Sequence, residues 1–203
     1  MGSYTDTGLT LPFMTEAEYM TAVDILQATV DALEGYKGVL YGQFMLTADG
    51  VQVIEFNARM GDPEAMNTVS VLETALLDVL VAARDGESLP QLTLKPQATV
   101  CKYVVPEGYP TDPDGGTPVT IDEERAGDAL LYYASVDERE EGIHTTTSRS
   151  FAVVGVGDSI AAAEETAEEA LAAGTEGLRA RHDIGTPELV QKRIDHIARL
   201  REN

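Results

Sequence analysis

Cysteine, tryptophan and lysine are scarce in this sequence: one, none and four among 203 residues. A single thiol, Cys101, excludes an intramolecular disulfide frame. Its apolar flank, Thr99-Val100-Cys101, points to a buried thiol rather than a reactive one, and a cytoplasmic protein is expected. No stretch approaches the roughly 20 apolar residues that cross a bilayer, and no basic segment precedes an apolar run at the start. Neither a membrane partner nor a targeting leader is therefore expected. Positive charge is scarce too, with ten Arg and four Lys against 35 acidic residues and a formal charge of −21. That balance excludes nucleic acid, since a polyanion needs a basic stripe to displace its counterions.

Acidic runs such as Asp137-Glu138-Arg139-Glu140-Glu141 and Glu164-Glu165-Thr166-Ala167-Glu168-Glu169 are spread along the chain and read as solvated surface. A salt-rich, halophilic cytoplasm would accommodate them, because the Debye length falls to about 3 Å at 1 M salt.

The length suffices for one or two compact units. Thr15 and Glu18 form a capping box for a helix over Thr15–Leu33, with the stripe Tyr19, Val23, Leu26, Val30, Leu33 and a closing Gly35. Strands over Gly38–Leu46 and Val51–Ala58 follow, joined by Ala48-Asp49-Gly50 in a three-residue loop with Gly50 left-handed. That loop sets Thr47 opposite Val51, Met45 opposite Val53 and Gln43 opposite Glu55. After Gly61-Asp62-Pro63-Glu64 one helix is expected, with Val69, Leu72, Leu76, Val79 and Leu80 as its buried stripe and an end near Gly86. Glu87–Gln97, with two prolines, reads as a linker between units at 1–88 and 96–203. Beyond it, short strands over Thr99–Val105, Ala129–Ser135, Ile143–Thr147 and Phe151–Val156 precede helices over Ser159–Ala173 and Pro187–Arg201. In the last helix Thr186 is the N-cap and Val190, Ile194 and Ile197 form the apolar face.

The hairpin carries the chemistry. Its register and alternation place Gln43, Glu55 and Asn57 on one face with Val51 and Val53, at separations their side chains can bridge to a common ion. Oxygen donors with one carboxylate suit a nucleotide-bound Mg²⁺ (or Mn²⁺) better than a closed Ca²⁺ cage. A plain hairpin with its polar face to water would show the same residues. Glu55 between Ile54 and Phe56, however, leads to the expectation that its carboxylate lies in a partly enclosed cleft.

The run Val53-Ile54-Glu55-Phe56-Asn57-Ala58-Arg59-Met60-Gly61-Asp62-Pro63-Glu64 resembles the signature of the phosphoribosylamine–glycine ligases. Gly38–Leu46 is similar to the strand before it, Met1-Gly2-Ser3-Tyr4 to the end of a GGMGxY segment, and Arg181-His182-Asp183-Ile184-Gly185 to the family's RRDIG motif, with His182 in place of an Arg. The resemblance covers the whole chain. It implies an α/β (α+β) architecture: the C-terminal part of an ATP-grasp domain, then a small mixed domain of antiparallel strands and two helices.

The implied reaction has ATP phosphorylate the carboxylate of glycine and the amine of 5-phosphoribosylamine attack the glycyl phosphate. Positioning and neutralisation of phosphoryl charge suit such a step. Glu55 and Asn57 would hold the metal with Gln43 as a further ligand, although many ATP-grasp enzymes have an acidic residue where Gln43 stands. Glu55, Asn57 and Arg59 would face the nucleotide. Arg59 could reach the phosphoryl group or pair with Asp62 or Glu64, and Asp62 and Glu64 would orient Arg59 or the substrate amine. The resemblance also implies a missing N-terminal half, in cis or as a separate chain, and no turnover by these residues alone. Two rival expectations are another ATP-grasp carboxylate–amine ligase and a non-catalytic acidic binding partner.

Other candidates carry less. His144, His182 and His196 lack ligand spacing and read as surface or helix-end residues. Ser148 and Ser150 have no neighbouring base. Gly155 and Gly157 are expected to serve turns rather than a phosphate loop.

Overall fold

The computed structural model describes residues 1–174 and 177–202. In chain order it contains β1 (Gly2–Thr5), a 3₁₀ turn at Thr7–Leu9, α1 (Glu16–Ala32), β2 (Tyr41–Thr47), β3 (Gly50–Asn57), α2 (Glu64–Val71) and α3 (Leu76–Asp85). There follow β4 (Ala98–Pro106), α4 (Glu123–Ala126), β5 (Leu130–Tyr133), β6 (Val136–Arg139), β7 (Gly142–Thr145), β8 (Phe151–Gly157), α5 (Ile160–Leu171), β9 (Leu178–Ala180) and α6 (Pro187–Arg201).

The main sheet is antiparallel and centres on β4. One edge of β4 pairs with β8, which pairs in turn with β5; the other edge takes β1 and then β9. Every residue of β4 is buried, because both faces of the sheet are covered. Ala98, Val100 and Val104 face α5, where they meet Ala163, Ala167 and Leu171 together with Phe151, Val153 and Ile184. Cys101, Tyr103 and Val105 form the opposite face with Ala152 and Val154, and Met66 of α2 packs there. A strand covered on both sides reads as a continuous apolar run, as Thr99–Val105 does apart from Lys102.

Gly155 and Gly157 lie in β8, not in turns. A Cβ at Gly155 would stand 1.9 Å from the Ala163 carbonyl oxygen, so the absent side chains let α5 lie directly on the strand. Lys102 projects on that same side and is fully buried. Its Nζ donates to Glu164 and Glu168, each at 2.6 Å, and to the carbonyl of His182 at 2.8 Å. His182 completes the group through Nδ1, 2.6 Å from Glu168. It is thus an exposed residue with a defined partner, while His144 is buried with Nδ1 at 3.1 Å from the Gly142 carbonyl, against the surface role expected.

α1 begins as expected, with the Thr15–Glu18 capping box formed in both directions. Its buried side differs from the expected stripe: Ala22 is the buried residue, while Tyr19, Val30 and Leu33 are exposed. The single helix expected after Glu64 is two, broken at Leu72, where residues 71–74 run beside 93–95 through a Leu72–Leu94 bridge and the Thr74–Thr93 hydroxyls. Val69 and Leu80 are exposed, so the stripe drawn through one continuous helix does not form. Gly86, left-handed, closes α3 as expected. α6 spans the expected residues with Thr186 as cap, and Arg201 near its end holds Glu18 at 2.6 Å and the Phe13 carbonyl at 2.9 Å.

Candidate metal and phosphoryl-transfer site

The β2–β3 hairpin places the candidate ligands. Thr47 pairs with Gly50 and Leu46 with Val51, so the loop has two residues, not three, and Met45 lies opposite Gln52 rather than Val53. Gly50 takes φ +94°, as a tight turn requires. A bulge then restores the register further along, since Phe44 pairs with Val53 but Gln43 pairs with Glu55, leaving Ile54 as the extra residue. Gln43 opposite Glu55 therefore stands as expected. The single face shared by Val51, Val53 and Glu55 does not follow, because the bulge interrupts strict alternation between Val53 and Glu55.

At the open end of the hairpin three side chains make one chain of hydrogen bonds. Asn57 Nδ2 donates to Glu55 Oε1 at 2.8 Å, and Arg59 donates to Asn57 Oδ1 at 3.1 Å and to the Met60 carbonyl at 2.8 Å. Glu55, Arg59 and Gln43 are exposed and Asn57 is half-buried, so the carboxylate does not occupy the partly enclosed cleft expected of it. Among the described residues no group of three or more His, Cys, Asp or Glu side chains gathers as a metal cluster. A cation at this hairpin would depend on one carboxylate with amide oxygens from Asn57 and Gln43, a donor set suited to a hard ion that keeps water or nucleotide oxygens.

Arg59 makes no ion pair with Asp62 or Glu64, the alternative to a phosphoryl contact; it bonds Asn57 and Met60. Asp62 turns towards the main sheet: Oδ1 accepts from Tyr103 Oη at 2.8 Å, and Oδ2 lies 3.0 Å from Arg149. The Arg149 guanidinium sits 5.2 Å from the Tyr103 ring centroid, within cation–π range. Burial, then the bond to Asp62, pushes the Tyr103 phenol well above its ordinary value. Glu64 faces Tyr41 instead, whose phenol is raised to about 12 by burial, then by the charge of Glu64 and a hydrogen bond to it. Gly61 fits between them, because a Cβ there would lie 2.7 Å from the Tyr41 ring and 2.8 Å from a Glu64 oxygen. The Asp62–Pro63 peptide is cis.

α2 starts at Glu64 and is held to the sheet by buried Asn67, which accepts from the Ser3 hydroxyl and donates to Thr99 Oγ1 at 2.9 Å. Sequence reasoning missed Tyr103, Arg149 and Asn67, whose partners lie 32 to 87 positions away in the chain (Asn67 to Thr99, Asp62 to Arg149). The one local signal was a lysine, Lys102, beside a tyrosine inside an apolar strand.

Two family models match this chain: the ATP-grasp (A) domain of phosphoribosylglycinamide synthetase over residues 1–65, and the C domain of the same synthetase over residues 99–187. The phosphoribosylamine–glycine ligase of Methanosarcina barkeri is 51% identical over 208 positions, covering 99% of this chain and 47% of its own. That of Methanothermobacter thermautotrophicus is 47% identical with the same coverage. The chain thus spans about half the length of the curated relatives it matches. Among solved structures, the phosphoribosylamine–glycine ligase of Thermotoga maritima superposes with a TM-score of 0.74 at 23% identity over 90% of this chain and 46% of that one. The biotin carboxylase of Campylobacter jejuni gives 0.62 at 14% identity over 92% of this chain and 44% of that one. At such identities the structural likeness speaks for the fold.

Proposed function

The chain belongs to the phosphoribosylglycinamide synthetase family, and from that premise we propose that it supplies part of the site where ATP drives the joining of glycine to 5-phosphoribosylamine. The product is glycinamide ribonucleotide, a purine precursor, formed with ADP and phosphate. The observation that carries the reading is the hydrogen-bonded run Glu55–Asn57–Arg59 at the end of the hairpin, with Gln43 opposite Glu55.

Glu55, Asn57 and Gln43 would hold Mg²⁺ or Mn²⁺, which when bound neutralises phosphate charge. Arg59, anchored on Asn57 and on the Met60 carbonyl, offers a fixed guanidinium to an anionic oxygen of the nucleotide or the acyl phosphate. Glu64, beside Tyr41, is the remaining carboxylate of the motif for orienting the substrate amine. The division into units at 1–88 and 96–203 is supported by the separate matches of the two family models, with β1 contributed to the second unit's sheet. A cytoplasmic, salt-rich setting belongs to the same reading and rests on the charge of −21.

The test uses a ligase of the relatives' length that carries this sequence. ADP formation should require both glycine and phosphoribosylamine. Glu55→Gln should lower kcat/KM by about 100-fold or more and weaken nucleotide-dependent Mn²⁺ binding read by electron paramagnetic resonance. Turnover supported by bicarbonate or an aminoimidazole nucleotide instead, or Mn²⁺ binding indifferent to Glu55→Gln, would refute the reading.

A further inference from the structure

Asp62 follows Arg59 by three residues, so at most about 10 Å of chain separates them. A carboxylate tethered that close to an exposed guanidinium is a ready partner for it, and such a pairing would turn Arg59 away from any anionic ligand. The fold prevents this by giving Asp62 two other partners. Both come from the main sheet and its loops: the buried Tyr103 of β4 donates to Oδ1, and Arg149, between β7 and β8, faces Oδ2. Arg149 stacked over the Tyr103 ring makes the pair one rigid receptor for the carboxylate.

The intervening chain has little freedom to undo the arrangement. Gly61 is enclosed by the Tyr41 ring and Glu64, and Tyr41 is the register partner of Asn57. The stretch is therefore fixed at Asn57, at Gly61 and at Asp62, and Arg59 spends its hydrogen bonds on Asn57 Oδ1 and the Met60 carbonyl.

We propose that Arg149 and Tyr103 are positioning residues for the ligase site: by holding the Asp62 carboxylate they withhold it from Arg59, which stays on Asn57 and open to an anionic substrate group. The catalytic half of this inference rests on the ligase reading above; the structural half does not. It also assigns Asp62 to a clamp rather than to contact with substrate.

Two measurements decide it. In the 203-residue chain, Arg149→Met and Tyr103→Phe should each speed amide exchange across residues 57–65 by about tenfold, the scale of one lost hydrogen bond to a charged group. Exchange of the β4–β8 amides should stay unchanged. Tyr103→Phe removes a single hydrogen bond, so it keeps the test open should Arg149→Met not fold. Unchanged exchange over 57–65 overturns the clamp. In a complete ligase carrying the sequence, Arg149→Met should lower kcat by at least about tenfold, and adding Asp62→Asn should restore most of that loss. An asparagine can still accept from Tyr103 but has no charge with which to capture Arg59. A double variant no better than Arg149→Met, or Asp62→Asn alone abolishing turnover, overturns the proposal. Should the unmodified ligase lack glycine-dependent ADP formation, the ligase reading falls with the catalytic half, and the exchange result still judges the clamp.

Discussion

At Gly155 the nearest neighbours of an added Cβ are backbone atoms of α5, the Ala163 carbonyl oxygen at 1.9 Å and the Ala167 nitrogen at 2.7 Å. Backbone in a packed helix cannot step aside, so Gly155→Ala should cost about 3 kcal/mol or more, read as a lowered urea midpoint. Gly61→Ala meets side chains of Tyr41 and Glu64, which can shift, and should cost about 1–2 kcal/mol in the same assay. Cys101 is a third case. Burial raises its thiol to about 12, with smaller contributions from Asp62 and Glu64, so a thiol reagent should label it only as the chain unfolds. Its burial was legible because the apolar flank is local in sequence. The buried state of Lys102 was not, since its carboxylate partners lie 62 and 66 positions away.

Between elements, ion pairs do much of the fastening, and they respond to acid. Lys102 joins β4 to Glu164 and Glu168 of α5 and to the chain before α6. Lys102→Ala would leave a void facing two carboxylates and should cost about 3–5 kcal/mol, whereas Lys102→Met fills the space and should cost less. At the far end of α6, Arg201 binds Glu18 at the start of α1. Its hydrogen bond, offset by burial, lowers the Glu18 carboxyl from 4.5 to about 2. A lowered folded-state value means that the pair's contribution is present above about 4.5 and is lost as pH falls towards about 2. Glu18→Gln should therefore lower the melting temperature near neutral pH and leave stability near pH 2 little changed, which flattens that part of the acid limb in a circular-dichroism titration. Both helices were placed within a residue or two from sequence because capping chemistry is local: Thr15 with Glu18, and Thr186 ahead of Pro187. The short strands β1 and β9 were not, because they exist only by virtue of their distant partner β4; β6 was missed although its hairpin partner β7 is adjacent, because Asp137-Glu138-Arg139 carries no apolar alternation. The same limit applied at the hairpin. Its chemistry-bearing pair, Gln43 with Glu55, was legible, but the bulge at Ile54 that sustains it left no mark in the alternation.

For the whole molecule, −21 charges on 203 residues mean that compaction works against self-repulsion, which dissolved ions screen. The melting temperature should rise from low to molar KCl, and equal stability in both would remove the salt-rich setting from the proposal. Connectivity imposes a second global condition. Gly2 pairs with Lys102 and Thr5 with Thr99, so the first strand borders one that emerges nearly a hundred residues later. At about 5–20 residues per second, a ribosome needs roughly 5–20 s to make that stretch. Throughout this interval the nascent segment has no edge to join, and Asn67, the later partner of Ser3 and Thr99, has no buried place to go. Maturation of the hairpin's surroundings is thereby timed to the appearance of Ala98–Pro106, which makes the growing polypeptide dependent on whatever shields it until then.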